Sequence, residues 1–540
     1  MGKSETDINL DTDTVHYQLL GHDRGVYYYL PAASGQVVAL RSNQHVEGHL
    51  IELAPLTHWE TNYGSKQGVN WRAAQDDLIR KQQAFGIYDQ SRIRGRGAWW
   101  DSEKPVLHLG DRLIVDGEDS RLTGGGRYIY ESAIPLRIEN ENPLPKSEAS
   151  KLAEICNLIA WERPIYSKYL AGWLAIAPIC GALRWRPHVW ITASPSAGKS
   201  WIFSEIISKL LGSIAIRTQH DSTEASLRQS INSDARPVIF DEAEAQSDRG
   251  RMRMDSVLEL ARAASTDDSP PIRKGSPGGT VSLWYVRSSF LFSSVSYGVT
   301  KRADERRITP LAIIKDGDKV RFAALAKAAS AITMDYSSRF LARSIKMIPT
   351  IRKNAEVFSK AIADTLGDQG SGDQLGALLA GAYSLASDSV ISNENAEAWI
   401  SKQDWSDQQA EIGETDEMKC LAHIQESIIK FGSREVSIAE LIDACREADG
   451  RIDSELARQA LGLYGIRPDE DMLIIASNHT GVGRLLKGSP WATNWARTLK
   501  RIPGAVVTNG GIKFGATRNR GVKIPYAEKP KQETMDVSFA

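Results

Sequence analysis

The chain has 540 residues, 42% of them hydrophobic and 25% charged, with 66 lysines and arginines against 67 aspartates and glutamates. This is ordinary globular composition in a chain too long for one core, so about two to four domains are expected. A net charge of −1 excludes bulk charge as the means of holding nucleic acid, so any such contact must come from local basic patches.

Cys156, Cys180, Cys420 and Cys445 are scattered and form no Cys-x-x-Cys pair, which argues against a structural zinc or a disulfide framework. The N-terminus is polar and acidic, and the longest uncharged run, Tyr169 to Leu183, falls short of the ~20 apolar residues of a spanning helix. A cytoplasmic location without a membrane partner is expected.

Residues 1–138 read as a β-rich domain, with short apolar runs at Val26–Leu30, Gln36–Leu40, Val106–Leu109 and Arg112–Asp116 and one helix from Trp71 to Phe85. Ser91-Arg-Ile-Arg-Gly-Arg-Gly-Ala-Trp-Trp100 mixes arginines with tryptophans, as a single-strand platform would. A hairpin that turns its tryptophans into the core is the favoured reading. The polar stretch Glu139–Pro145 marks a boundary, and 146–183 reads as a helical collar.

Pro187 to Ser200 holds the main chemical signal. The apolar run Val189–Thr192 breaks into Ala193-Ser194-Pro195-Ser196-Ala197-Gly198-Lys199-Ser200, and a helix follows from Trp201 to Leu211, closed by Gly212. Strand, loop of small residues and helix form a phosphate cradle, where backbone amides and the helix dipole favour negative charge. Lys199 would reach the β- and γ-phosphates, and the Ser200 hydroxyl would ligate Mg²⁺. Alanine at 193 replaces the usual first glycine, so the backbone there must stay in a region open to ordinary residues.

Arg236-Pro-Val-Ile-Phe-Asp241-Glu242 follows as an apolar strand ending in two carboxylates. Asp241 would hold the metal through its water shell, and Glu242 would orient or deprotonate the attacking water. Asp221-Ser-Thr-Glu224 between the two motifs reads as a helix capping box. Pro271 to Tyr285 has β-prone flanks around a Gly/Pro-rich turn, so a hairpin is predicted. The strand Phe290–Ser293 ends in hydroxyls where a polar group would touch the γ-phosphate or its water. The charged loop Lys301 to Pro310 would turn arginines towards a neighbouring subunit's nucleotide. Alternating strands and helices over 184–318 predict an α/β core with a mostly parallel sheet.

Residues 319–412 read as a helical lid, with Gly367 to Gly376 as a flexible break. In 413–526, helices at 438–448, 454–463 and 491–499 precede strands near 505–507 and 511–514. That order suggests a winged-helix-like α+β domain, which would bind nucleic acid through Arg497, Lys500, Arg501, Lys513, Arg518 and Arg520, or dock a protein. Residues 527–540 read as a disordered tail.

Four stretches together resemble the helicase module of phage and prophage primase-helicases, hexameric P-loop ATPases of the AAA+ class close to superfamily 3. They are Gly172-Trp-Leu-Ala-Ile-Ala-Pro-Ile-Cys-Gly181, Ser222-Thr-Glu-Ala225, Pro237-Val-Ile-Phe-Asp-Glu-Ala-Glu244 and Ala303-Asp-Glu-Arg-Arg-Ile-Thr309. The likeness is strongest over 168–315 and returns at Leu485 to Gly504. It implies ATP and Mg²⁺ as cofactors, bound by Lys199, Ser200, Asp241 and Glu242. It also implies Arg307 as a finger acting in trans, with Arg306 as second choice, and Ser293 or Ser294 at a sensor position where relatives carry asparagine or threonine. The 271–285 hairpin would enter a central channel, with Lys274, backed by Arg273, gripping the phosphate backbone.

The expected activity is that of an ATP-dependent DNA helicase, a homo-hexameric ring on single-stranded DNA that replicates a phage or integrated mobile element. No primase segment precedes the module, so a separate primase is expected. The alternatives are an AAA+ helicase loader or protein remodeller, and an origin-binding initiator using ATP only for assembly. The intact Asp241-Glu242 pair speaks against the initiator.

Overall fold

The computed structural model describes residues 16–122, 127–138, 141–219, 221–243, 247–275, 281–299, 302–406, 408–409, 415–447 and 452–526. The predicted tail 527–540 and the hairpin turn 276–280 lie outside the described residues. Two compact units form, Met1–Gln403 and Asp404–Ala540.

In the N-terminal part, Tyr17–Asp23, Val26–Pro31 and Val38–Arg41 make an antiparallel sheet. Gly97–Asp101, Lys104–His108, Leu113–Val115 and Glu118–Ser120 make a second. The predicted helix forms at Trp71–Phe85 with Asn70 as its cap, but it is not alone. Glu47–Leu53 and Leu56–Tyr63 are also helical. Each is too short for an apolar period to stand out, and neither would hold in isolation. Burial of Leu50, Leu53 and Trp59 among the tyrosines of the first sheet stabilises them.

The arginine–tryptophan stretch is a core strand. Trp99 is 2% exposed, its indole N–H donates to the Gly95 carbonyl at 2.9 Å, and the Arg94 guanidinium lies 4.9 Å over its ring. The same stretch is stitched to the rest of the first unit. The Gly95 amide donates to the Ser233 carbonyl and the Ala235 amide to that of Arg96, while the Arg96 guanidinium pairs with Asp234 at 2.7 Å. The polar boundary after residue 138 therefore does not leave a free-standing body before it.

The α/β core carries five parallel strands: β1 (His188–Ala193), β2 (Ile216–Thr218), β3 (Val238–Phe240), β4 (Phe290–Ser294) and β5 (Ile308–Ile313). Their order across the sheet is β2-β3-β4-β1-β5. Val189, Trp190, Ile191, Phe290, Leu291 and Phe292 are all fully buried, as expected for near-continuous apolar strands covered on both faces. The registers Thr192↔Ser294, Ala193↔Ile313, Phe240↔Phe292 and Thr218↔Phe240 align the carboxyl ends along one edge.

Behind the sheet, Ile165–Ile176 is buried nearly all round and crosses the helix Gln369–Ala386. A methyl added at Gly172 would strike the Leu378 carbonyl, and one at Gly381 the Gly172 carbonyl. The flexible break predicted at Gly367–Gly376 is not there. Gly367 closes the helix Ile348–Leu366 in a left-handed conformation (φ 69°), and Asp368 caps the next helix at once. Gly372 and Gly376 lie inside that helix, where the backbone of Ser359 approaches them too closely for a side chain. Glycine serves close packing here, not flexibility.

In the second unit, helices Ile438–Glu447 and Ser454–Leu463 are followed by an antiparallel pair, Ile466–Pro468 and Met472–Ala476. The helices-then-hairpin order thus occurs earlier than predicted, and the turn it presents, Asp469-Glu470-Asp471, is acidic. The basic residues Lys513 and Arg518 belong to a separate two-stranded hairpin, Ile512–Phe514 with Thr517–Asn519. The predicted third helix is shorter, Trp495–Leu499.

Candidate functional site

The carboxyl edge of the sheet gathers the phosphate-loop and carboxylate residues. Ala193 is the last residue of β1, paired with Ile313, so the position of the missing glycine is ordinary extended backbone. The left-handed positions come later, at Ser196 (φ 66°) and Gly198 (φ 87°). Helix begins at Lys199 and passes through a π-helical stretch, Phe203–Ser208, of the kind frequent at functional sites. Among the described residues, Lys199 makes no ion pair and the exposed Ser200 hydroxyl has no hydrogen-bond partner.

Asp241 follows the end of β3 at the same carboxyl edge, with β4 between β3 and the loop's strand β1. Its amide donates to the Thr218 carbonyl at 3.1 Å, its Oδ1 accepts the Ser293 hydroxyl, and the same oxygen accepts the Glu242 amide at 2.9 Å. Oδ2 has no partner among the described residues. The second Asp241 carboxylate oxygen and the Ser200 hydroxyl are the hard oxygen donors that Mg²⁺ takes, so this donor set fits that ion. Among the described residues no group of three His, Cys, Asp or Glu forms a metal cage. Mg²⁺ held by one carboxylate and substrate phosphates needs none.

Glu242 is exposed and left-handed (φ 54°). Such backbone costs an ordinary residue about 1–3 kcal/mol and concentrates at functional sites. Ser293 is fully buried, and it spends its hydrogen on Asp241. Ser294 is occupied otherwise: it accepts the Trp190 indole N–H at 2.6 Å and donates to the Ser296 carbonyl at 2.6 Å. Sequence reasoning missed the hydroxyl pair Thr218–Ser222, which ties the loop after β2 to the strand beside Asp241.

The helix after that loop, α1 (Glu224–Ile231), corrects the predicted capping box. Thr223, not Asp221, is the cap, its hydroxyl accepting the Ser226 amide while the Ser226 hydroxyl answers the Thr223 amide. Glu224 turns to Arg228 instead, at 2.9 Å.

Arg307 stands at the other edge of the sheet. It precedes β5, and its carbonyl accepts the amide of His188, the first residue of β1. A six-residue strand separates it from its own phosphate loop, roughly 17–20 Å. Its guanidinium lies 5.7 Å over the Trp185 ring and donates to the Ala303 carbonyl at 2.7 Å, while its buried Nε has no hydrogen-bond partner among the described residues. Burial pushes its pKa down. Arg306 is more exposed and pairs with Asp368 at 3.0 Å.

The predicted hairpin forms, Ile272–Gly275 against Val281–Trp284. Arg273 and Lys274 are exposed on its first strand. In the second unit, Arg497, Lys500 and Arg501 are exposed around the end of the helix Trp495–Leu499, with Trp495, Thr498 and Leu499 turned inward. Arg501 lies 3.8 Å from Asp416. Lys513 and Arg518 sit directly opposite each other across their hairpin, both exposed, and Arg520 follows, exposed as well. Like charges facing across a ladder destabilise it in the absence of an anion.

No family model and no curated protein matches the chain. Among solved structures it is similar to an active helicase, SCCmec type IV Cch, at 12% identity and TM-score 0.45, with 94% of this chain and 93% of that one covered. It is similar to the apo C-terminal region of NrS-1 at 12% identity and TM-score 0.34, covering 94% and 96%. A full-length MCM homolog from Methanopyrus kandleri follows at 13% identity and TM-score 0.27, covering 64% and 88%.

Proposed function

We propose that this chain is an ATP-dependent DNA helicase, a homo-hexameric ring that translocates on a single strand in the replication of a phage or integrated mobile element. One observation carries the reading: a phosphate loop whose lysine has no ion pair among the described residues and a carboxylate pair with a strained glutamate share one edge of a parallel sheet. In this reading the loop amides and the N-terminus of the Lys199 helix receive the phosphates, and Lys199 places its charge between β and γ. Glu242 takes a proton from the attacking water as the water oxygen bonds to the γ-phosphorus and the bond to ADP breaks.

Ser200 and Asp241 would hold Mg²⁺, which when bound would neutralise charge on the phosphate oxygens. Ser293 keeps Asp241 aimed. Arg307 of one subunit supplies positive charge to its neighbour's nucleotide. Lys274 and Arg273 grip the strand in the channel, and Arg497, Lys500, Arg501, Lys513, Arg518 and Arg520 add phosphate contacts from the second unit. A separate primase supplies primers.

The test is strand displacement on forked DNA with ATP and Mg²⁺, run alongside Lys199→Ala and Glu242→Gln. The unmutated chain should unwind, Lys199→Ala should neither hydrolyse nor unwind, and Glu242→Gln should bind ATP yet hydrolyse it at least about 100-fold more slowly. ATP hydrolysis without any unwinding would favour the loader or remodeller.

A further inference from the structure

The hairpin cation already has a partner. Lys274 Nζ lies 3.7 Å from Oε2 of Glu224, whose side chain is only 17% exposed against 51% for the lysine. The other oxygen of Glu224 takes Arg228 Nε at 2.9 Å, and the Arg228 guanidinium lies 4.7 Å over the ring of Trp284 on the hairpin's second strand. One turn of α1 therefore touches both strands of the hairpin, one through charge and one through a cation–π contact. Just ahead of α1, Ser222 shares a hydroxyl hydrogen bond with Thr218, and the Thr218 carbonyl accepts the Asp241 amide.

We propose that Glu224 is the resident counter-ion of Lys274, which the phosphate backbone of a single strand must displace before the hairpin can hold it. The proposal rests on the reading of the hairpin as the strand-gripping element. A carboxylate and a phosphate compete for the same ammonium. The half-buried Glu224 is screened by solvent less than a surface carboxylate, so it is an effective competitor. When phosphate takes Lys274, Glu224 keeps Arg228, so no buried charge is left unpaired and the exchange avoids the large penalty of an orphaned ion. Through Ser222 and Thr218 the same helix end adjoins the strand that carries Asp241, so two successive hydrogen bonds link it to the Asp241 backbone.

Glu224→Gln tests this, because the amide keeps the side-chain shape and an oxygen for Arg228 while removing the charge. Binding of labelled oligothymidylate is measured by anisotropy with a non-hydrolysable ATP analogue, for the unmutated chain, Glu224→Gln, Lys274→Ala and the double variant. Glu224→Gln should bind about two- to fivefold tighter, the range an ion pair of this exposure supports, and DNA-stimulated hydrolysis should saturate at correspondingly less DNA. The gain should vanish in the Lys274→Ala background, a comparison that also cancels any effect on Arg228. If Glu224→Gln binds no tighter, or its gain survives without Lys274, the counter-ion role is overturned. If Lys274→Ala alone binds as tightly as the unmutated chain, the reading of the hairpin fails first, and the two failures are told apart.

Discussion

His188, the first residue of the phosphate-loop strand, is uncharged where it stands. Its Nε2 donates to the Ala261 carbonyl at 2.7 Å and its Nδ1 accepts the Phe290 amide at 3.0 Å, which fixes the neutral tautomer and ties β1 to β4. Burial pushes its pKa from 6.5 to about 3, and burial pushes that of His108 to about 4. The unfolded chain takes up protons at these positions below pH 6.5 and the folded chain does not. The stability they contribute is therefore complete above pH 6.5 and is lost as pH falls towards the folded values, by about 2 kcal/mol per histidine near pH 5. The unfolding midpoint in urea should drop between pH 6.5 and 5, and should drop less in His188→Gln. Equal slopes would mean that His188 is protonated in the fold. At the same scale Glu242 shows what a residue name conceals: its carboxylate was legible from the motif, its left-handed backbone was not.

Helix packing behind the sheet depends on glycines read from the sequence as a break. Glycine lowers helix propensity by about 1 kcal/mol, so a run with Gly367, Gly370, Gly372 and Gly376 scores as a loop. The cost is offset because Gly372 and Gly376 admit the backbone of Ser359, and Gly381 that of Gly172. Gly381→Ala should improve local propensity yet destabilise the protein by about 1–3 kcal/mol through overpacking, read as a lower midpoint in urea. A stabilised variant would show that the two helices can part at no cost. The short helices at 47–53 and 56–63 were missed for the same reason, since their stability comes from Trp59 and Leu50 in a core that no local window contains.

On the scale of the whole molecule, Arg307 lies a strand's length from its own phosphate loop, beyond the reach of an arginine side chain. A catalytic role for it requires a second subunit. Arg307→Ala and Lys199→Ala should each be inactive alone, whereas mixtures under conditions of subunit exchange should recover part of the ATPase, because some interfaces pair an intact loop with an intact arginine. Failure of every mixture despite demonstrated exchange would assign Arg307 to holding Trp185 and Ala303 within its own subunit.

The sequence by itself determined the elements whose signals are local. The apolar run Val189–Thr192, the small-residue loop, the Asp241-Glu242 strand end, the 271–285 hairpin and the helix at 71–85 each carry their instructions within a few residues, in burial period, turn residues and caps. Only the tertiary structure decided which distant polar groups meet. Ser293 was visible as a strand-end hydroxyl, but that it orients Asp241 while Ser294 serves Trp190 depends on the β3-β4-β1 neighbour order. Glu224 carried the signature of a helix cap and became the partner of Arg228 and Lys274 once the hairpin folded over α1. Trp99 went inward because strand 97–101 found Gly181 and Ala235 to pack on. Backbone preference acts over a turn or two, whereas desolvation and charge pairing are settled by whatever the folded chain brings within a few ångströms, and that is written in no single stretch.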